Sequence, residues 1–245
     1  MSSYDYEQEY TYGDGFAADA ELAERIGFIR RTYAHLFGAI LLFVGLITVF
    51  LSVEPVKATL FQIIGGNWWL CFIAFYIVSL VAQKVAHSGT SVGLQYLVLA
   101  LYTVAEALIF VPLLVIASDP RFGGSPDVVA MAGFLTMLVF GGLTAVVFLT
   151  KQDFSFLRMA LSLGGLVFLG LIVVSLFVPF SSSIVLFIVI GMIVLLSGYI
   201  LYDTSNVLHH YRTDQHVAAS LALFASVATL FYYLLMLLSL LSGDD

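Results

Sequence analysis

The chain has 245 residues, of which 61% are hydrophobic and only 10% are charged. Soluble domains are typically about 45–50% apolar and about 25% charged, so this composition excludes an ordinary soluble domain and indicates a membrane protein with several spans. The formal net charge is −7, but many of the carboxylates lie near the two ends, and the chain lacks the polybasic cluster that nucleic acid or anionic lipid would need.

The first 30 residues are predicted to form a polar, acidic tail. They lack the basic region and the apolar region of a signal peptide, and they are rich in tyrosine and carboxylates. We expect residues 1–30 to form a disordered or loosely docked tail, with disorder as the preferred interpretation, and residues 31–245 to form one transmembrane domain.

Seven segments after the tail are long and apolar enough to cross a membrane. A helical span needs about 20 largely apolar residues, and the breaks between the segments carry turn-forming residues. The predicted spans are 31–53, 67–86, 92–117, 127–149, 158–178, 183–208 and 217–241. The sequence therefore predicts an all-α membrane protein, a bundle of seven transmembrane helices in the lipid bilayer.

Lysine and arginine in the short loops predict the orientation of this bundle. With the N-terminus in the cytoplasm, the outer side holds only Lys57 and Arg121. The cytoplasmic side then holds Arg25, Arg30, Arg31, Lys84, Lys151, Arg158 and Arg212. We expect a cytoplasmic N-terminus and, if the last span crosses fully, an external C-terminus.

Two acidic residues, Glu106 and Asp203, fall well inside apolar spans. A charge at a helix centre costs about 2.5–3.5 kcal/mol on insertion scales, so a functional role is the default interpretation. The alternative is a neutral or hydrogen-bonded structural group.

Polar residues share a face on three of the predicted spans. The sixth span carries Tyr199, Asp203, Asn206 and His210, the third carries Tyr102 and Glu106, and the last carries Ser226, Thr229 and Tyr233. Their spacings of three, four, seven or eleven residues bring them onto one side of each helix. If the faces converge, they form a polar cluster in the cytoplasmic half of the bundle.

The depth of Asp203 suggests a proton-sensitive gate. It lies about 7–8 Å from the predicted end of its span, at about 1.5 Å per residue, which is within reach of cytoplasmic water. Desolvation favours the neutral form of a carboxyl group, so Asp203 is suited to respond to pH. Lys84 is a candidate counter-ion, and the alternative is that its side chain extends to the interface.

The sequence gives no support for an enzyme activity, a cofactor site or a metal site. The chain carries no metalloprotease, serine-hydrolase, phosphate-loop or dinucleotide-binding motif. The neighbouring residues His209 and His210 cannot present both rings on one helix face. The single cysteine, Cys71, excludes a disulfide within one chain. We expect no enzyme activity, no cofactor and no metal site.

Three motifs resemble the Bax inhibitor-1/YccA family. The segment "ILYDTSNVLHH" at 200–210 resembles the sixth-helix signature of that family, and "TKQDFSFLRMALSLGGLVFLGLIV" at 150–173 resembles its fourth-loop and fifth-helix motif. The third, "TVAE" at 103–106, is similar to its third-helix motif. The resemblance implies a seven-helix bundle with the last helix near the centre. It also implies a pH-sensitive calcium leak or a role in cell stress and membrane-protein quality control.

The chain departs from the leak-type members at one position of the last helix. Those members pair the sixth-helix aspartate with a second aspartate, and the corresponding residue here is Ser226. The serine resembles the bacterial YccA-like branch, which is linked to a membrane-anchored ATP-dependent protease, and it implies a bacterial inner membrane protein.

Two functions therefore remain open. The first is a leak for calcium or another cation, with Asp203 and Glu106 lining the pathway. The second is an interaction protein that modulates a membrane protease, in which Asp203 is a structural group bonded to Ser226, Thr229 or a tyrosine.

Overall fold

The computed structural model describes residues 15–88 and 91–242. Within these ranges the chain forms eight α-helices and one short 3₁₀ turn, Pro120–Phe122. The helices are α1 (Leu22–Ser52), α2 (Glu54–Gly66), α3 (Trp68–His87), α4 (Val92–Ser118), α5 (Pro126–Thr150), α6 (Leu157–Ser175), α7 (Ser182–His209) and α8 (His216–Ser242). All except α2 are long and apolar enough to cross a membrane, so the predicted seven-helix, all-α bundle is confirmed.

The first helix begins earlier than the sequence suggested. It starts at Leu22, and Phe28 is completely buried on its inner face. Burial of an apolar side chain stabilises a segment that its charged neighbours would leave solvated. The prediction of a disordered tail is therefore wrong for residues 22–30, while residues 1–14 lie outside the described part of the chain.

The segment before α1 is held against the loop between α7 and α8. The backbone N–H of Ala17 donates to the carbonyl oxygen of Tyr211 at 2.8 Å. The hydroxyl of Thr213 donates to the Glu24 carboxylate. Pairings between such distant parts of the chain have no local signal, so only the folded bundle reveals them.

Helix α2 occupies a segment that the sequence presented as a loop. It has 13 residues, and at about 1.5 Å per residue it is too short to cross a bilayer. Pro55 lies in its first turn, where the missing N–H has no consequence. Glu54 and Lys57 form an ion pair at 2.6 Å on its surface, and Ile64 is buried.

Helix α8 forms the centre of the bundle. It packs against α1, α3, α4, α5 and α7, and every residue from His216 to Phe224 is buried. Small residues in this stretch, including Ala218, Ala219 and Ser220, allow helices to approach closely where lipid removes the hydrophobic driving force. The expected central position of the last helix is confirmed.

Helix α6 lies at the periphery and packs closely only against α7 within the described ranges. Glycines make this approach possible. A Cβ atom added at Gly164 would lie 2.5 Å from Leu195 Cδ1, and one at Gly198 would lie 2.8 Å from Leu161 Cδ2. The approach of α6 fixes one side of α7, and α7 carries Asp203.

Candidate functional site

Asp203 faces a cavity of about 430 Å³ inside the bundle. Helices α3, α4, α7 and α8 and the loop after α7 enclose it, and we refer to it as the polar cavity. Its polar lining consists of Ser79, Gln83, Tyr102, Tyr199, Tyr202, Asp203, Asn206, Tyr211, Ser226 and Thr229. Tyr102 of α4, the face of α7 around Asp203, and Ser226 and Thr229 of α8 therefore converge, and α3 adds two further polar residues. Glu106 and Tyr233, which the spacing placed on the same faces, border another cavity.

The Asp203 carboxylate is hydrogen-bonded to α8. The hydroxyl of Ser226 donates to its Oδ2 atom at 2.6 Å. Ser226 itself is only 8% exposed, whereas Asp203 keeps partial exposure. The arrangement combines a fixed donor with an open side, which suits a carboxylate that exchanges protons or attracts a cation.

The oxygen atoms around Asp203 do not form a tight calcium site. Calcium takes about six to eight oxygen ligands, several of them from carboxylates. Asp203 is the sole acidic residue that lines the polar cavity in the described part of the chain. No group of three or more His, Cys, Asp or Glu residues able to hold a metal is found within residues 15–88 and 91–242.

The other predicted site residues are placed as follows. Tyr199 and Asn206 line the polar cavity with Asp203, and the Tyr199 hydroxyl also donates to the Leu161 carbonyl oxygen at 3.1 Å. Lys84 is exposed and does not line this cavity. The structure therefore does not bring the suggested counter-ion to Asp203.

Glu106 lines a different cavity. It is 3% exposed and borders a mainly apolar space of about 310 Å³. Tyr102, which lies beside the Glu106 carboxyl group, lines the polar cavity. The two intramembrane carboxylates therefore border different cavities, and these adjoin at Phe75 and Thr229.

Some residues of the polar cavity were missed by the sequence reasoning. Ser79 and Gln83 lie four residues apart on α3, so they share a face of an otherwise apolar helix. That spacing is the signal that could have identified them. Tyr211 comes from the loop after α7, and nothing in its local sequence indicates that it lines a cavity.

A second cavity of about 380 Å³ leads from the polar cavity to the end of the bundle where α1, α4 and α8 begin. Three residues, Tyr202, Asn206 and Tyr211, line both spaces and form a neck between them. Phe16, from the segment before α1, lines the outer part. We call this second space the entrance cavity.

Two groups near the neck have shifted pKa values. Burial and the nearby Asp203 raise the pKa of Tyr211, so Tyr211 faces the cavity as a neutral phenol. Burial raises the Asp153 pKa as well, but hydrogen bonds from the Ser155 backbone and from His210 outweigh it and hold the Asp153 pKa below its usual value. The His210 Nε2 atom lies 3.0 Å from Asp153 Oδ2. His210, the partner of Asp153, lines the entrance cavity.

Comparison with known proteins gives a consistent family match. The family model described as "Inhibitor of apoptosis-promoting Bax1" matches residues 25–243. An uncharacterized protein of Pseudomonas aeruginosa is 30% identical over 98% of this chain and 99% of its own length. Bax inhibitor 1 of Schizosaccharomyces pombe is 29% identical over 93% of this chain and 82% of its own length. A Golgi anti-apoptotic protein of Vaccinia virus is 29% identical over 95% of this chain and 92% of its own length.

Proposed function

The chain belongs to the Bax inhibitor-1 family as a multi-pass membrane protein, and from this premise we propose that it is a cation leak gated at Asp203. The observation that carries the proposal is the position of Asp203. Its carboxylate stands in a polar cavity of about 430 Å³, in a bundle whose other intramembrane surfaces are largely apolar.

The charge on Asp203 would control entry of the cation. An ionised carboxylate attracts a cation into the polar cavity, and a protonated one does not. The neck is lined by the neutral residues Tyr202, Asn206 and Tyr211, so Asp203 supplies the charge that draws the cation through. We therefore expect flux to rise with pH across the range in which Asp203 loses its proton. Calcium is the cation that the family resemblance suggests, and the bacterial inner membrane, with the N-terminus in the cytoplasm, is the proposed location.

Flux into liposomes tests this proposal. Purified protein is reconstituted into vesicles that contain a calcium indicator, and flux is measured at about pH 6 and about pH 8. Wild type is compared with Asp203→Asn and Ser226→Asp. Asp127→Asn is the matched control, because it removes an exposed carboxylate at the start of α5. The proposal expects pH-dependent flux in wild type and in the control, and its loss in Asp203→Asn.

A second candidate is an interaction protein of the YccA-like branch that modulates a membrane-anchored ATP-dependent protease. The Ser226–Asp203 hydrogen bond at 2.6 Å favours it, because a carboxylate with a fixed donor can serve as a structural link between α7 and α8. Under this candidate, wild type shows no flux, and flux in Ser226→Asp alone would mean that the serine has removed a leak. Deletion of residues 2–14 then tests whether the N-terminal segment contacts the protease, while the contacts of Ala17 and Glu24 remain intact.

A further inference from the structure

The cavity that Glu106 borders has the properties of a small-molecule site. It lies between α3, α4, α6, α7 and α8 and adjoins the polar cavity at Phe75 and Thr229. Its volume of about 310 Å³ is at the lower end of the range of about 300–1,000 Å³ for ligand pockets. Aromatic side chains dominate the lining and include Trp68, Phe72, Phe75, Phe110 and Tyr232. We call it the aromatic cavity.

The aromatic cavity faces the lipid between α3 and α6. Within residues 15–88 and 91–242, α6 packs closely only against α7, so a seam runs between α6 and α3. A smaller cavity of about 150 Å³, with a wholly apolar surface, lies along this seam and shares Trp68, Phe72 and Ile172 with the aromatic cavity. A molecule dissolved in the bilayer can therefore enter from the side without crossing the aqueous phase.

One polar atom at the inner wall of the cavity is unsatisfied. Glu106 is 3% exposed, and its Oε2 atom has no hydrogen-bond partner among the described residues. Tyr102 lies beside the same carboxyl group and leaves this oxygen atom without a partner. Buried polar atoms are normally paired, and an unpaired one next to a cavity indicates a missing partner.

We propose that the aromatic cavity binds a membrane-dissolved amphiphilic amine, with its nitrogen on Glu106 Oε2 and its apolar body among the aromatic rings. An amine matches an acidic group better than an alcohol does, because proton sharing creates a charge-assisted hydrogen bond. The faces of Trp68, Phe72 and Phe75 would add cation–π attraction. A carboxylic acid would be excluded by repulsion from Glu106. This site is independent of the Asp203 gate.

The two tryptophans of the chain make binding directly measurable. Trp68 lines the cavity. In the Trp69→Phe variant, Trp68 is the one remaining tryptophan and reports on the cavity alone. Bromine quenches indole fluorescence on contact. The probes are para-bromophenethylamine, para-bromophenethyl alcohol as the neutral match, and para-bromophenylacetate as the acid. The full chain is studied in phosphatidylcholine nanodiscs, and empty nanodiscs correct for partition of each probe into lipid.

The amine is expected to quench Trp68 saturably, at a concentration at least about tenfold lower than the alcohol requires. The acid is expected to give no saturable quenching. Glu106→Gln should remove the preference for the amine, whereas Asp203→Asn, in the polar cavity, should keep it. Leu171 lines the cavity, so Leu171→Phe should narrow it and weaken binding of the amine and of the alcohol together.

Equal affinity of wild type for amine and alcohol would overturn the proposal, and so would an unchanged amine preference in Glu106→Gln. If Glu106→Gln does not fold, the comparison of the three probes on the Trp69→Phe chain decides the question alone. Loss of calcium flux in Asp203→Asn has no bearing on these outcomes, so the amine site and the leak fail or succeed separately.

Discussion

The hydrogen bond between Ser226 and Asp203 links α7 to α8 at the centre of the site. Its removal should lower the free energy of unfolding by a measurable amount. In Ser226→Ala the carboxylate loses a donor at 2.6 Å. A hydrogen bond to a charged group contributes about 1.5–3 kcal/mol. Because Asp203 is partly exposed to the polar cavity, water can replace the lost donor, so we expect the lower end of this range, about 1.5 kcal/mol.

A double-mutant cycle isolates this contribution. The free energy of unfolding is measured for wild type, Ser226→Ala, Asp203→Ala and the double variant by titration of mixed micelles with a denaturing detergent. The expected coupling is about 1 kcal/mol. Ser197→Ala is the matched control, because the Ser197 hydroxyl donates only to the Ile193 carbonyl of its own helix, at 2.8 Å. Additive effects of the two substitutions would refute the reasoning, since they would mean that the two side chains do not interact in the folded protein.

Three further predictions concern the loops and the neck. Because the Asp153 pKa is lowered in the folded protein, the hydrogen bonds that its carboxylate accepts stabilise the fold above the unfolded pKa of about 3.9. This contribution is lost as pH falls through the lower folded value. Asp153→Asn should therefore remove up to about 1 kcal/mol near neutral pH and flatten the acid limb of a melting-temperature profile; an unchanged profile would contradict this. Gly124→Ala would place a Cβ atom 2.4 Å from the Ile116 backbone oxygen and should cost at least about 2 kcal/mol, whereas Gly133→Ala meets open space and should leave the melting temperature nearly unchanged. Tyr211→Ala should widen the neck and increase calcium flux in liposomes, and a decrease would show that Tyr211 does not restrict the path.

Much of the fold could be predicted from hydropathy, because the length of an apolar run is a local property. The seven spans follow from the need of about 20 residues to cross a bilayer. The start of α1 at Leu22 could not be predicted in this way. It depends on burial of Phe28 and on contacts of Ala17 and Glu24 with the loop after α7, which are far away in sequence.

The candidate site was predictable only in part. Helical spacing placed Tyr199, Asp203 and Asn206 on one face, and the structure brings these residues to one cavity. The spacing could not show that Asp203 and Glu106 border different cavities, because that depends on how α4 is rotated against α7 and α8. It also did not identify Gln83, which lines the polar cavity while the adjacent Lys84 does not, since neighbouring residues of a helix point in directions about 100° apart.

Flux through the reconstituted protein is the most direct test of the proposed function. Calcium entry is compared at about pH 6 and about pH 8 for wild type and Asp203→Asn, with equal amounts of folded protein in each vesicle preparation. The account predicts faster entry at the higher pH in wild type and slow entry with no pH dependence in Asp203→Asn. Equal flux in the two proteins, or no flux above that of empty vesicles in wild type, would contradict it.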